Sequence, residues 1–117
     1  MIDVHQGDII IIGFDPSLGH EQQGTRPALI VFNHDFTRLT RSLVKVVPIS
    51  RTENDFPLHI PVPEGLKVHG VAEAQQETTL DLAARHWYKV DHAPASFIKD
   101  VINAISDSYE FEEWKSH

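Results

Sequence analysis

Between positions 20 and 26 the chain sets His20, Glu21, Gln22, Gln23 and Arg26 close together. That is an imidazole that exchanges protons near neutral pH, a carboxylate, two amides and a permanent cation. Cleaving a phosphodiester without a metal needs a base for the attacking hydroxyl, an acid for the leaving oxygen, and donors where negative charge accumulates. His20 and Glu21 can serve the first two needs. The planar fork of Arg26 suits the third, because it never deprotonates and matches phosphate oxygens. Gly19 and Gly24 flank the cluster and permit left-handed backbone and close approach of a ligand. Pro16 with Ser17 marks the opening of a turn. By composition alone these residues also suit an ordinary solvated loop, so the loop's setting matters.

Two strongly apolar runs hold the loop. Gly7 to Phe14 contains four consecutive isoleucines, a short β-branched run that reads as a buried strand. Arg26 to Phe32 reads as a second strand, with Pro27 near its start, where a missing N–H does least harm. Ser42 to Pro48 alternates as a third, half-buried strand. Phe56 to Val62 alternates too, but Pro57 and Pro61 confine it to a sheet edge. Gly70 to Gln76 and Arg85 to Val90 supply two more. After Pro94 the period changes: Phe97, Ile98, Val101, Ile102, Ile105 and Tyr109 form one apolar face of a helix over roughly 94–112. One or both of Trp87 and Tyr88 are expected to close the sheet against that helix, with base stacking as the other use. Trp114 suits either a partner contact or a fraying end. Five or six short strands and one closing helix predict a small bent sheet or partly open barrel, SH3-like or OB-like.

The 117 residues suit one domain spanning 1–117. There is no cysteine, which excludes thiolate catalysis, disulfides and Cys-based zinc sites. Eight histidines invite a metal, yet His59, His69, His86 and His92 show no ligand spacing and read as scattered surface residues. Met1 to His5 lacks the character of a signal peptide and no apolar run reaches bilayer length, so a cytoplasmic, membrane-free protein is expected. The net charge of −7 argues against a general nucleic-acid binder. The distribution reopens the question. Arg26, Arg38, Arg41, Lys45 and Arg51 face a single acid, Asp35, in their segment, whereas Asp100 to Glu113 holds five acids and no base. A local positive face with a negative tail follows, unless these are simply solvated charges.

The ordered landmarks resemble the MazF/PemK (Kid) toxin family. Its pattern appears as Gly7-Asp8, Asp15-Pro16-Ser17, Gly19-His20-Glu21-Gln22, Gly24 and Arg26-Pro27. Further on come Pro48-Ile49-Ser50, Gly70-Val71, Gln75-Gln76 and Leu80-Asp81-Leu82-Ala83-Ala84-Arg85, all in family order. The resemblance implies a mainly β, SH3-like (Kid/CcdB-type) barrel of five to seven short strands plus one long helix. It also implies a homodimer that cuts single-stranded RNA, commonly mRNA, at short sequences without metal or other cofactor. The 2′-hydroxyl would attack the adjacent phosphate, leaving a 2′,3′-cyclic phosphate and a free 5′-hydroxyl.

On matching positions, Arg26 would stabilise the phosphorane-like transition state and Ser50 would hydrogen-bond the scissile phosphate. His20 and Glu21 would act as base or in positioning, and which of them is the base stays open. Gln22, Gln76, Arg51 and Arg85 would hold RNA. One branch of the family carries an Arg and an Asp after Gly-Val, as acid and base; here those positions are Glu73 and Gln75, which shifts weight onto His20, Glu21, Arg26 and Ser50. The departure motivates an alternative, a catalytically inactive toxin fold that binds a partner protein or poisons gyrase as CcdB toxins do. Either way, an antitoxin (MazE/PemI-like) is the implied partner. Its acidic segment would dock on the Arg26–Arg51 cluster in competition with RNA.

Overall fold

The computed structural model describes residues 2–51 and 56–114. Seven antiparallel strands and two α-helices follow in the order β1 (Asp8–Gly13), β2 (Thr25–Ile30), α1 (His34–Thr40), β3 (Leu43–Ser50), β4 (His59–Pro61), β5 (Val71–Glu73), β6 (Thr78–Asp81), β7 (Trp87–His92) and α2 (Ala95–Ser108). The sheet runs β4-β5-β3-β2-β1-β7, with β6 also paired to β3. The expected mainly β fold with a closing helix is what forms, and β4, the proline-flanked strand, does lie at an edge.

The isoleucine run has no solvent side because the sheet is coated on both faces. Ile10 and Ile12 join Phe14, Ala28, Ile30, Val44, Val46 and Leu80 in one core. Ile9 joins Leu29, Val47 and Ile49 in a second, capped by Phe97 and Val101 of α2. Strand alternation sends successive residues of β1, β2 and β3 to opposite cores, which is why these strands read as continuous apolar runs. Fully burying each such aliphatic side chain contributes on the order of 2 kcal/mol.

Some expectations are corrected by packing. Trp87 joins the first core, on the face opposite α2, and its Nε1 donates to the Leu82 carbonyl at 3.1 Å. Tyr88 and Tyr109 are exposed, so neither closes the sheet nor completes the helix face. Helix α1 has no counterpart in the sequence pattern because its apolar residues Phe36 and Leu39 are exposed and leave no buried stripe. Its one local sign is Asn33, whose side chain caps the helix by accepting from the Phe36 N–H at 3.1 Å. No helix among the described residues is long and apolar enough to cross a membrane.

The pairing along β3 contains one irregularity that shapes the surface beside it. Ile49 pairs with Ala72 in β5 and Val46 pairs with Thr78 in β6. Between those pairs β3 advances three residues while its partner advances six. The surplus is thrown out as a 3-10 turn, Ala74–Gln76, beside the middle of β3.

Candidate functional site

The loop between β1 and β2 is wired at several points. Its neck closes with the Phe14 N–H on the Gly24 carbonyl at 2.9 Å. Gly19 and Gly24 take positive φ, 60° and 77°, as their placement predicts. Inside, Glu21 Oε1 accepts the Leu18 N–H at 2.6 Å, and Asp15 Oδ1 accepts the Gly24 N–H at 3.3 Å. Two side chains from across the sheet then fasten the loop. Gln76, on the 3-10 turn, donates from Nε2 to the His20 carbonyl at 2.8 Å and accepts the Gln22 N–H at 3.2 Å. Arg85, just before β7, donates from Nη1 to the carbonyls of Gly13 at 2.7 Å and Asp15 at 2.8 Å.

Between loop and turn lies a half-open groove of about 380 Å³. Phe14 and Leu80 of the first core are part of its wall, and Glu21, Gln22, Gln75, Gln76, Glu77 and Arg85 supply most of its polar groups. Four residues singled out from sequence (Glu21, Gln22, Gln76 and Arg85) therefore meet in one place. The groove is rich in amides rather than cations. Glu77 is paired with Lys45 at 3.1 Å, so one of the expected basic residues is neutralised from outside its own segment. Arg38 is likewise paired, with Asp35 at 3.7 Å on an exposed surface.

The other predicted residues are not among those lining the groove. His20 is exposed on the loop, its backbone held by Gln76. Arg26 is exposed on β2, where its Nε donates to the Gln23 carbonyl at 3.3 Å. Ser50 is half-buried at the end of β3, and Arg51 is exposed just after it. The β2–β3 ladder ends at Ala28↔Pro48, so its register extended by two residues would set Arg26 opposite Ser50. Alternation along that extended register would set both on the side of the first core, to which Phe14 and Leu80 of the groove wall belong. Gly70 holds this corner. Its φ is 123°, and a Cβ there would run into the Ser50 carbonyl.

Sequence reading missed two groups here. Glu77 carries no local signature, because its partner Lys45 is set by the β3–β6 register. His59, expected from sequence to be a surface histidine, is a correction: its side chain is 5% exposed. It stands across the β4–β5 ladder from Glu73. Among the described residues, no three His, Asp or Glu side chains gather as a metal site would require.

A second polar cluster lies at the far end of β1. Asp8 is buried, with Oδ1 2.8 Å from His92 Nδ1 and Oδ2 3.1 Å from Lys89 Nζ, and it accepts the His5 N–H at 2.8 Å. Burial pushes its carboxyl up, but those three contacts together outweigh burial and hold it below the ordinary value of 3.8. This cluster ties β7 to β1 and lies apart from the groove's lining.

Comparison with known proteins gives consistent results. Residues 5–109 match the family described as PemK-like, MazF-like toxin of type II toxin–antitoxin system. The chain is 35% identical over 109 residues to endoribonuclease PemK of Escherichia coli, spanning 89% of this chain and 80% of that one. It is 36% identical over 108 residues to endoribonuclease toxin ChpB of Escherichia coli K12, spanning 86% and 89%. Among solved structures, MazF of Deinococcus radiodurans superposes with a TM-score of 0.85 at 27% identity, covering 92% of this chain and 97% of the other. The expected fold is thus the fold of MazF, and the chain belongs to the PemK-like, MazF-like family of toxins from type II toxin–antitoxin systems.

Proposed function

We infer that this chain is a toxin that cleaves single-stranded RNA at selected sequences, needs no metal, and is restrained by a cognate antitoxin. One observation carries the reading: Glu21, Gln22, Gln76 and Arg85, distant in sequence, converge on a groove inside a chain whose relatives PemK and ChpB are endoribonucleases. Amide-rich walls suit single-stranded bases, whose edges present mixed donors and acceptors. In the reaction the ribose 2′-oxygen bonds to the adjacent phosphorus, its proton passes to a base, and the P–O5′ bond breaks. The 5′-oxygen takes up a proton and leaves as a hydroxyl, and the 2′,3′-cyclic phosphate remains.

The roles divide by which groups are already committed. Glu21 gives one carboxylate oxygen to the Leu18 N–H and so braces the turn. That leaves the exposed imidazole of His20 as the proton carrier, its main chain steadied by Gln76. The two Nη groups of Arg26 face the charge that builds on the phosphorane, and Ser50 adds a neutral hydroxyl beside it. A homodimer would lengthen the groove into one that spans several nucleotides. An acidic antitoxin segment would compete for the same surface, with an affinity that weakens as salt rises.

The test is direct. Purified protein incubated with a long RNA in excess chelator should yield discrete fragments ending in cyclic phosphate, and Arg26→Ala should cut that rate by about 100-fold or more. Intact RNA in the presence of demonstrably folded wild-type protein would overturn the reading.

A further inference from the structure

His59 places a buried imidazole on the β4–β5 edge, and it reaches the groove through a neighbour. Its Nε2 lies 3.5 Å from Glu73 Oε2, whose side chain is 13% exposed, and 2.9 Å from Gln75 Nε2. Among the described residues, His59 Nδ1 and Glu73 Oε1 are buried with no hydrogen-bond partner. Phe56 covers the imidazole, ring centres 5.0 Å apart. Gln75, in turn, is part of the groove wall beside Gln76 and Gln22.

With the Gln75 amide nitrogen turned to the ring, His59 Nε2 accepts from it, and the neutral tautomer that fits this contact carries its proton on Nδ1. That proton has no acceptor, and the Nε2 lone pair also faces a carboxylate oxygen. A proton added at Nε2 relieves the second conflict and gives Glu73 a cation to pair with. It creates a new conflict, since Nε2–H and the Gln75 amide N–H then point at each other. Turning the amide over resolves this: Oε1 accepts from His59 and the NH2 group takes the place that Oε1 held. The Gln75 amide atom left free of His59 thereby changes from acceptor to donor.

We propose that His59, backed by Glu73, is a positioning residue that sets whether Gln75 offers the RNA groove an acceptor or a donor, and so which base edge is taken there. The proposal rests on the nuclease reading for its ligand. With His59 neutral, Gln75 selects exocyclic amines, as on cytosine or adenine. With His59 charged, it selects carbonyl or ring-nitrogen acceptors, as on uracil or guanine. The elements packed against β4 are β5, the 3-10 turn and α2. From β5 comes Glu73, and from the turn come Gln75 and Gln76, both uncharged; Lys99, Asp100 and Asp107 of α2 are all solvent-exposed. Glu73 is therefore the charged group that faces His59.

Two measurements decide it. The first follows the His59 ring nitrogens and the Gln75 side-chain amide by NMR across a pH series, with no RNA present. The Gln75 amide should move in step with protonation of His59 Nε2, and that step should vanish from Gln75 in His59→Gln. An amide indifferent to His59, or an Nε2-protonated ring at every pH, overturns the coupling. The second maps cut sites on one long RNA at about pH 5.5 and about pH 8. Relative use of sites differing at one base should change by about 5-fold to 10-fold, the worth of one hydrogen bond. Gln75→Leu should abolish the change with His59 in place, which guards against a misfolded His59 variant. Wild-type cut sites that do not depend on pH overturn the role in base choice. No cutting at either pH by folded protein is instead a failure of the nuclease reading, and the NMR series still decides the coupling.

Discussion

Arg85 was expected from sequence to hold RNA, yet its Nη1 is committed to the carbonyls of Gly13 and Asp15, which fasten the loop to the sheet. Replacing it with methionine keeps the aliphatic stem and removes the donors. Charge-assisted bonds of this kind contribute about 1.5–3 kcal/mol each when buried. Here one contact is part-buried and the other exposed, so water recovers much of the loss. A cost of about 2–3 kcal/mol results. For a chain of 117 residues that corresponds to a fall in Tm of roughly 8–12 °C. Thermal unfolding by circular dichroism measures that fall, and RNA affinity across a salt series measures the other role. If Arg85 is chiefly an anchor, Tm drops and the slope of log affinity against log salt keeps its value. If it is chiefly a phosphate contact, Tm stays put and the slope weakens by about 0.7, the single-strand increment per neutralised phosphate. A Tm within about 2 °C of wild type, together with a weakened slope, would refute the anchoring role.

Three further outcomes are expected. Asp8 ionises more readily in the folded protein than in the unfolded chain, so its stabilisation is present above the ordinary carboxylate value and is lost as pH falls through the lowered folded one. Asp8→Asn should therefore cost roughly 2 kcal/mol at pH 7 and flatten the acid limb below about pH 4, as read from urea melts across pH. Gly70→Ala must fit a Cβ against the Ser50 carbonyl at φ 123°, so it should destabilise by at least about 2 kcal/mol and lower RNA cleavage with it, both measured on one preparation. Glu77→Gln releases Lys45 from its 3.1 Å ion pair and removes an acid from the groove, so RNA should bind tighter at low salt, with a slope steeper by about 0.7. Unchanged binding in that variant would show that neither charge is felt by RNA.

Much of the scaffold was legible because its signals are local. The isoleucines of β1 declare a strand coated on both faces, Pro57 and Pro61 mark β4 as an edge, and the helical spacing of Phe97, Val101 and Ile105 marks α2. Helix α1 escaped because it buries only Thr37 and leaves no apolar stripe to read. Strand β6 escaped because Thr78–Asp81 is short and mostly polar, and only its pairing with β3 makes it a strand.

By itself the sequence determined which residue types are concentrated in the β1–β2 loop, where glycine frees the backbone, and where strands and the closing helix begin. Each of those depends on neighbours a few positions away. Only the tertiary structure decided that Gln76 and Arg85 would clasp a loop 56 and 72 residues earlier in the chain. It also decided that Glu77 would quench Lys45 and that a strand histidine would be buried against Glu73. Those partnerships arise from the register of strands distant in sequence and from the three surplus residues of the 3-10 turn. Register is chosen by how both cores close at once, a condition that no local pattern of side chains records.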